Sequence, residues 1–145
     1  MTMETLAPTS DDRIIWDAWL SVYRLPVITV ADEIGIFERL SEGPMTSDAL
    51  ANAIGADARA LGVHLGVLAA MDFVERRGGL WRATAVTRMW LHPAAEGYCG
   101  PALHGFRESQ PLHSQLLTSL KTGRVPSGHI SAAEEWERGE MPVHL

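Results

Sequence analysis

The chain has 145 residues, 46% hydrophobic and 21% charged, enough for one domain with a buried core and too few for two full ones. Twelve Lys and Arg against eighteen Asp and Glu leave a formal charge of −6, which disfavours an extended phosphate-binding surface. The single cysteine, Cys99, excludes an intrachain disulfide and fits a reducing compartment. Met1–Ser10 lacks the basic and apolar regions of a signal peptide. No apolar run reaches the roughly 20 residues of a membrane span. A soluble, cytoplasmic protein with no membrane association is expected.

Residues 1–10 read as a flexible tail. Asp11 and Asp12 suit a helical first turn, and "DDRIIWDAWLSVYRL" then carries Ile15, Trp16, Trp19, Leu20 and Tyr23 at helical spacing. An apolar arc this wide needs a large covering surface, either its own domain or a second subunit, and its size favours a second subunit. Pro26 suits the first turn of a new helix, "PVITVADEIGIFERL", whose Val27, Val30, Ala31, Ile34, Phe37 and Leu40 form a stripe to bury. Gly43-Pro44 breaks the chain. Thr46 or Ser47 caps a helix over "SDALANAIG" ending at Gly55, and Asp57 caps "ARALGVHLGVLAAM". Within the latter, Gly62 and Gly66 are four apart, a spacing that lets another helix approach closely.

Phe73 to Thr87 reads as a hairpin turning at Gly78-Gly79, with Arg76, Arg77 and Arg82 near its tip. Asp72, just before it, occupies a position where the backbone takes positive φ and glycine is usual; Asp tolerates that region better than most residues. Then "RMWLHP" reads as a short helix ended by Pro93, and "AAEGYCGPALHGF" as a linker. "QPLHSQLLTSLKTG" is a further helix with Leu112, Leu116, Leu117 and Leu120 on one face and Gly123 as its stop. The polar remainder has Trp136 as its single large apolar anchor. This order predicts a mainly α fold: a winged helix-turn-helix with a small two-stranded wing, plus dimerisation or linker helices at the N- and C-terminal sides.

A winged helix that reads DNA needs polar and basic residues on its third helix. Here the helix over 57–71 offers Asp57, Arg59 and His64 among Ala, Leu, Gly, Val and Met, so it reads as buried on nearly every side. Residues 46–88 carry five arginines against four acids, a net charge of only +1. Nucleic-acid binding is not expected. The six histidines, His64, His92, His104, His113, His129 and His144, show no three- or four-residue spacing that would place two metal ligands on one helix face. No catalytic, cofactor-binding or metal-ligating residue is assigned.

Together, "VITVADEIGIFERLSEGPMTSDALANAIGADARALGVHLGVLAAMDFVERRGGLWRATAVTRMWL" resembles the N-terminal dimerisation domain of S-adenosylmethionine-dependent O-methyltransferases of bacterial natural-product metabolism. Downstream, "LLTSLKTGR" and Trp136 resemble the linker that precedes the catalytic domain in that family. The resemblance implies a homodimer with interlocking apolar helices, assigned to Ile15, Trp16, Trp19, Leu20, Tyr23, Leu61, Leu65 and Leu68. It also implies an N-terminal segment that closes a partner's substrate pocket, which makes Trp16 and Trp19 candidates to face an aromatic substrate; His104 and His113, which flank the linker, are candidates to face a substrate in the assembled enzyme.

The family's methyl-donor site lies in a Rossmann-like domain with a glycine-rich turn. Among the 13 glycines here no two are two residues apart, so the G-x-G core of that turn is absent. The chain is therefore expected to hold no cofactor itself, S-adenosylmethionine belonging to a complete or complemented enzyme. The expected division is 1–10 tail, 11–92 winged-helix dimerisation domain, and 93–145 linker and helices leading toward a catalytic domain. The leading reading is a dimerisation and substrate-lid module, truncated or half of a split enzyme with a separate catalytic chain. A stand-alone accessory dimer that binds an aromatic small molecule, and a winged-helix DNA-binding regulator, stand as alternatives.

Overall fold

The computed structural model describes residues 11–105 and 111–124. Its elements are α1 (Arg13–Ile34), α2 (Ile36–Glu42), α3 (Ser47–Ile54), α4 (Ala58–Ala70), β1 (Val74–Arg77), β2 (Leu80–Ala83), α5 (Ala85–Trp90), α6 (Gly100–His104) and α7 (Pro111–Thr122). Trp136, His129 and His144 lie outside the described residues.

Several boundaries differ from the sequence reading: α5 starts at Ala85, inside the stretch expected as hairpin to Thr87, and the largest change is in α1. Pro26 does not open a second helix; it sits inside the 22-residue α1. Proline's fixed φ is helical, so the ladder loses only the bond that an N–H here would give to Val22. The residues just beyond, Thr29, Val30 and Ala31, are buried and hold the helix in the body of the fold. The break comes instead at Gly35, whose φ of +91° ends α1 and whose N–H returns to the Asp32 carbonyl at 3.2 Å. Ile36, Phe37 and Leu40 then belong to α2, with Phe37 and Leu40 from the expected stripe.

The short helices keep their expected punctuation. Thr46 Oγ1 accepts the Ala49 N–H at 3.2 Å, and Asp57 Oδ1 accepts the Ala60 N–H at 2.8 Å. Gly55 closes α3 with φ +68°. Asp72 holds φ +62°, the single non-glycine residue with positive φ among those described, between α4 and the wing. β1 and β2 pair antiparallel, with Val74 opposite Ala83 and Arg77 opposite Leu80, and Gly78 and Gly79 turn the hairpin with φ +56° and +79°. The wing is anchored at its root: Thr87 Oγ1 donates to the Phe73 carbonyl at 2.6 Å and Thr84 Oγ1 to the Asp72 carbonyl at 2.8 Å. Met45 forms an isolated bridge with Trp81, tying the wing to the α2–α3 connection.

The core is the meeting of α1, α2, α3, α4 and the wing. Ile36, Phe37, Leu50, Leu61, Leu65 and Leu68 have no exposed surface. The stretch 94–106, expected as a linker, contains α6, because Cys99 takes an N-cap position and Pro101 fits the first turn. α7 lies against α1 and α4 and ends at Gly123, φ +69°.

Candidate functional site

Every residue from Asp11 to Arg24 is exposed, so the first half of α1 stands clear of the body of the fold. This arm is apolar. Ile15 is 67% exposed, Trp16 52%, Trp19 60%, Leu20 47% and Tyr23 45%. Trp16 and Trp19 meet edge-to-face with centroids 5.6 Å apart, and Trp19 meets Tyr23 in the same way at 6.5 Å. Trp16 Nε1 donates to Asp12 Oδ2 at 2.9 Å. A buried Trp or Tyr removes on the order of 150–250 Å² from water, so an uncovered aromatic ladder is costly in an isolated chain.

A second apolar area lies on α4. The sequence reading placed this helix in a contact on all sides and assigned Leu61, Leu65 and Leu68 to a subunit interface. The structure corrects that assignment: these three leucines are fully buried in the chain's own core and present no surface. The outward face carries Val63, 64% exposed, and Val67, 41% exposed. A Cβ added at Gly62 or Gly66 would meet nothing within 4 Å, so the small-residue face of α4 is bare. Beside it, between α1, α4 and α7, runs a cleft of about 260 Å³ lined by Val27, Val63, Val67 and Leu116, with Arg59 and Arg124 also on its walls. His64 points to the α1 side of α4. It is 4% exposed and its Nε2 donates to the Val27 carbonyl at 3.0 Å. Burial pushes its pKa down to about 4, only partly opposed by that hydrogen bond, so the ring is neutral near pH 7.

His104 and His113, expected to face a substrate, are instead engaged within the chain. His113 is 5% exposed, with Nδ1 2.7 Å from Thr29 Oγ1 and Nε2 2.5 Å from Glu33 Oε2. His104 Nε2 lies 2.7 Å from Asp32 Oδ2, the same oxygen that accepts the Tyr98 hydroxyl at 2.8 Å. The two imidazoles meet edge-to-face, 6.1 Å between centroids. Burial first, and then the Asp32 carboxylate, raise the Tyr98 pKa to about 12. Sequence reasoning passed over Thr29, Asp32, Glu33 and Tyr98. The signal available was the i, i+3, i+4 spacing of Thr29, Asp32 and Glu33, which puts all three on one side of a helix. Among the described residues, no group of three His, Cys, Asp or Glu is placed to hold a metal ion.

The wing arginines are largely occupied. Arg76 stacks over the Trp81 ring with its guanidinium carbon 5.7 Å from the centroid, and Arg77 pairs with Glu75 at 3.1 Å. Arg82, on β2, is half-buried. The fusion of two expected helices into α1 does make one helix long and apolar enough to cross a membrane by length and composition. Its second half is held in the protein body by Thr29, Asp32 and Glu33.

Residues 16–93, just over half of the chain, match the family profile described as the O-methyltransferase dimerisation domain. The chain is 25% identical over 129 residues to the N,N-dimethyltransferase OxyT of Streptomyces rimosus, covering 88% of this chain and 38% of that protein. It is 29% identical over 87 residues to a 3-hydroxy-5-methyl-1-naphthoate 3-O-methyltransferase of Streptomyces sahachiroi, covering 60% of this chain and 25% of the relative. The chain thus spans less than two fifths of the length of these relatives. In fold it is similar to an O-methyltransferase family 2 protein of Planctomyces limnophilus, crystallised with apigenin, at a TM-score of 0.73 and 20% identity, over 90% of this chain and 38% of that one. With the winged-helix order, the bare apolar arm and the matched profile in agreement, this chain belongs to the O-methyltransferase dimerisation-domain family.

Proposed function

We propose that the chain is the self-association module of an O-methyltransferase-like protein of aromatic natural-product metabolism. In this reading a second copy covers the arm of α1 and the Val63–Val67 face of α4. The observation that carries it is the continuous exposure of Ile14, Ile15, Trp16, Trp19, Leu20, Val22 and Tyr23 on a helix whose other half is core. An apolar surface of this extent is removed from water only by another body. A bare Gly62/Gly66 face is a surface that a helix can approach closely. The arm would also close a partner's substrate pocket, with Trp16 and Trp19 as the aromatic wall. His104 and His113 leave that role, since His113 is bound within the chain through both ring nitrogens and His104 through Nε2.

The module does not methylate by itself in this reading: the methyl-donor site is placed in a catalytic part outside these 145 residues. The accessory-binder alternative has one feature in its favour, the apolar cleft of about 260 Å³ between α1, α4 and α7, too small for more than a compact ligand. The regulator alternative has little, because Arg76 is stacked, Arg77 is paired and Arg82 is half-buried on β2.

Light scattering on the purified chain tests the main reading. A dimer at micromolar concentration is expected, and Trp16→Asp with Trp19→Asp should return it to monomer with the circular dichroism of the fold unchanged. A wild-type chain that is monomeric at every concentration, or a dimer indifferent to both substitutions, overturns it.

A further inference from the structure

We propose that α7 is a releasable strap, held across α1 by a polar fastener of Thr29, Asp32, Glu33, His104 and His113, and that it opens as a unit separate from the winged-helix core. Two observations converge on this. The first is that α7 completely buries only one apolar side chain. Among the described residues its buried side chains are His113 and Leu120, with Leu112, Leu116 and Leu117 half-buried, whereas the shorter α2 buries Ile36, Phe37 and Leu40. A helix whose leucines are mostly half-buried sits toward the low-stability end of a fold, where local opening precedes global unfolding.

The second observation is where its polar ties lie. At the start of α7, His113 is bound on both ring nitrogens, by Thr29 and by Glu33. Beside them on α1, Asp32 receives both Tyr98 and His104, so α6 is held to the same patch as α7. At the other end of α7, the Leu120 carbonyl accepts the Asp57 N–H at 2.8 Å, and Gly123 turns directly over the Asp57 carboxylate. α7 is thus fixed at its two ends to different elements, α1 and the N-cap of α4, and bridges the apolar cleft between them.

Hydrogen bonds to buried charged groups are strong while paired and costly when one partner goes, which makes such an attachment switch between held and released instead of loosening gradually. Thr29 has the chemistry of a retaining catch. In the held state its hydroxyl lies 2.7 Å from His113 Nδ1. With His113 withdrawn, the Pro26 carbonyl at 3.4 Å is an alternative acceptor on its own helix. The residues tied to Thr29, Asp32 and Glu33 in this fastener, Tyr98, His104 and His113, come after the stretch that matches the family profile. The fastener therefore sets where α7 lies relative to α1. This inference stands whether or not the α1 arm pairs with a second copy.

Hydrogen exchange by mass spectrometry on the 145-residue chain tests it. In His113→Ala and in Asp32→Asn, exchange of the amides in 111–122 should rise at least tenfold while those of α3, α4 and the wing change less than twofold. Thr29→Val, which removes one hydroxyl at nearly constant shape, should give a smaller rise confined to the same segment and serves if His113→Ala fails to fold. Unchanged protection of 111–122 in the variants that fold, or equal acceleration throughout the molecule, overturns the proposal.

Discussion

His64 shows how one side chain sets the pH response of the fold. Its folded pKa of about 4 lies below the 6.5 of an exposed imidazole, because burial penalises the charged ring. The neutral form therefore belongs to the native state. The associated stability is fully present above pH 6.5 and is lost as pH falls toward 4, where the unfolded chain takes a proton that the folded chain refuses. The shift corresponds to about 3 kcal/mol across that window. His64→Gln keeps a donor for the Val27 carbonyl and does not titrate. Chemical denaturation at pH 7 and pH 4.5 should show a markedly smaller difference for this variant than for wild type, and equal differences would refute the assignment. At the same scale, Asp72 is legible from local backbone chemistry alone. A C′ position needs positive φ, and Asp is among the few non-glycine residues that tolerate it. The roles of Asp32 and Glu33 are not legible in this way: their partners come from 66 to 80 residues later in the chain, and no local rule connects them.

At the scale of elements, α4 is two-sided. Leu61, His64, Leu65 and Leu68 fill the core, while Val63, Gly66 and Val67 face outward. By composition it looks buried all round, since apolar residues occupy both faces. Gly66 separates the two demands on this helix. With nothing near its Cβ position in the isolated chain, Gly66→Ala should stabilise the monomer by about 0.5–1 kcal/mol through helix propensity. If another helix crosses close to this face, the same methyl should weaken the dimer. Thermal denaturation at low protein concentration and a dilution series by light scattering read the two effects independently. A variant that stabilises the monomer and leaves the dimer constant untouched would remove α4 from the contact and leave the α1 arm to carry it. α1 divides in a similar way near Pro26, with its aromatic arm on one side and its core-bound segment on the other.

For the whole molecule, the decisive feature is the imbalance between a well-filled core and a large apolar exterior. The interior of α2, α3, α4 and the wing is closed by its own leucines and aromatics. The arm of α1 and the outer face of α4 stay exposed among the described residues. An acidic molecule with Arg76 stacked, Arg77 paired and Arg82 half-buried at its wing is poorly suited to a polyanion, and well suited to a partner with an apolar surface. The absence of a G-x-G turn carries a corresponding expectation. Isothermal calorimetry of the purified chain with S-adenosylmethionine should show no saturable heat, and a stoichiometric binding isotherm would overturn the placement of the methyl-donor site elsewhere.

The winged-helix order is legible in the sequence because caps, glycines and proline act within a few residues of themselves. Thr46, Gly55, Asp57, Asp72 and Gly78-Gly79 each mark a boundary by local backbone chemistry, and the family resemblance rests on the same run. Boundaries that depend on distant packing are not legible. Pro26 lies inside a helix because the residues after it are gripped by the core, and α6 forms where composition suggests a linker. Which apolar residues are spent inside and which remain for a partner is likewise decided only in three dimensions. Leu61 and Val63 are both aliphatic, and only the placement of α1 and α3 around α4 buries the first and leaves the second in water.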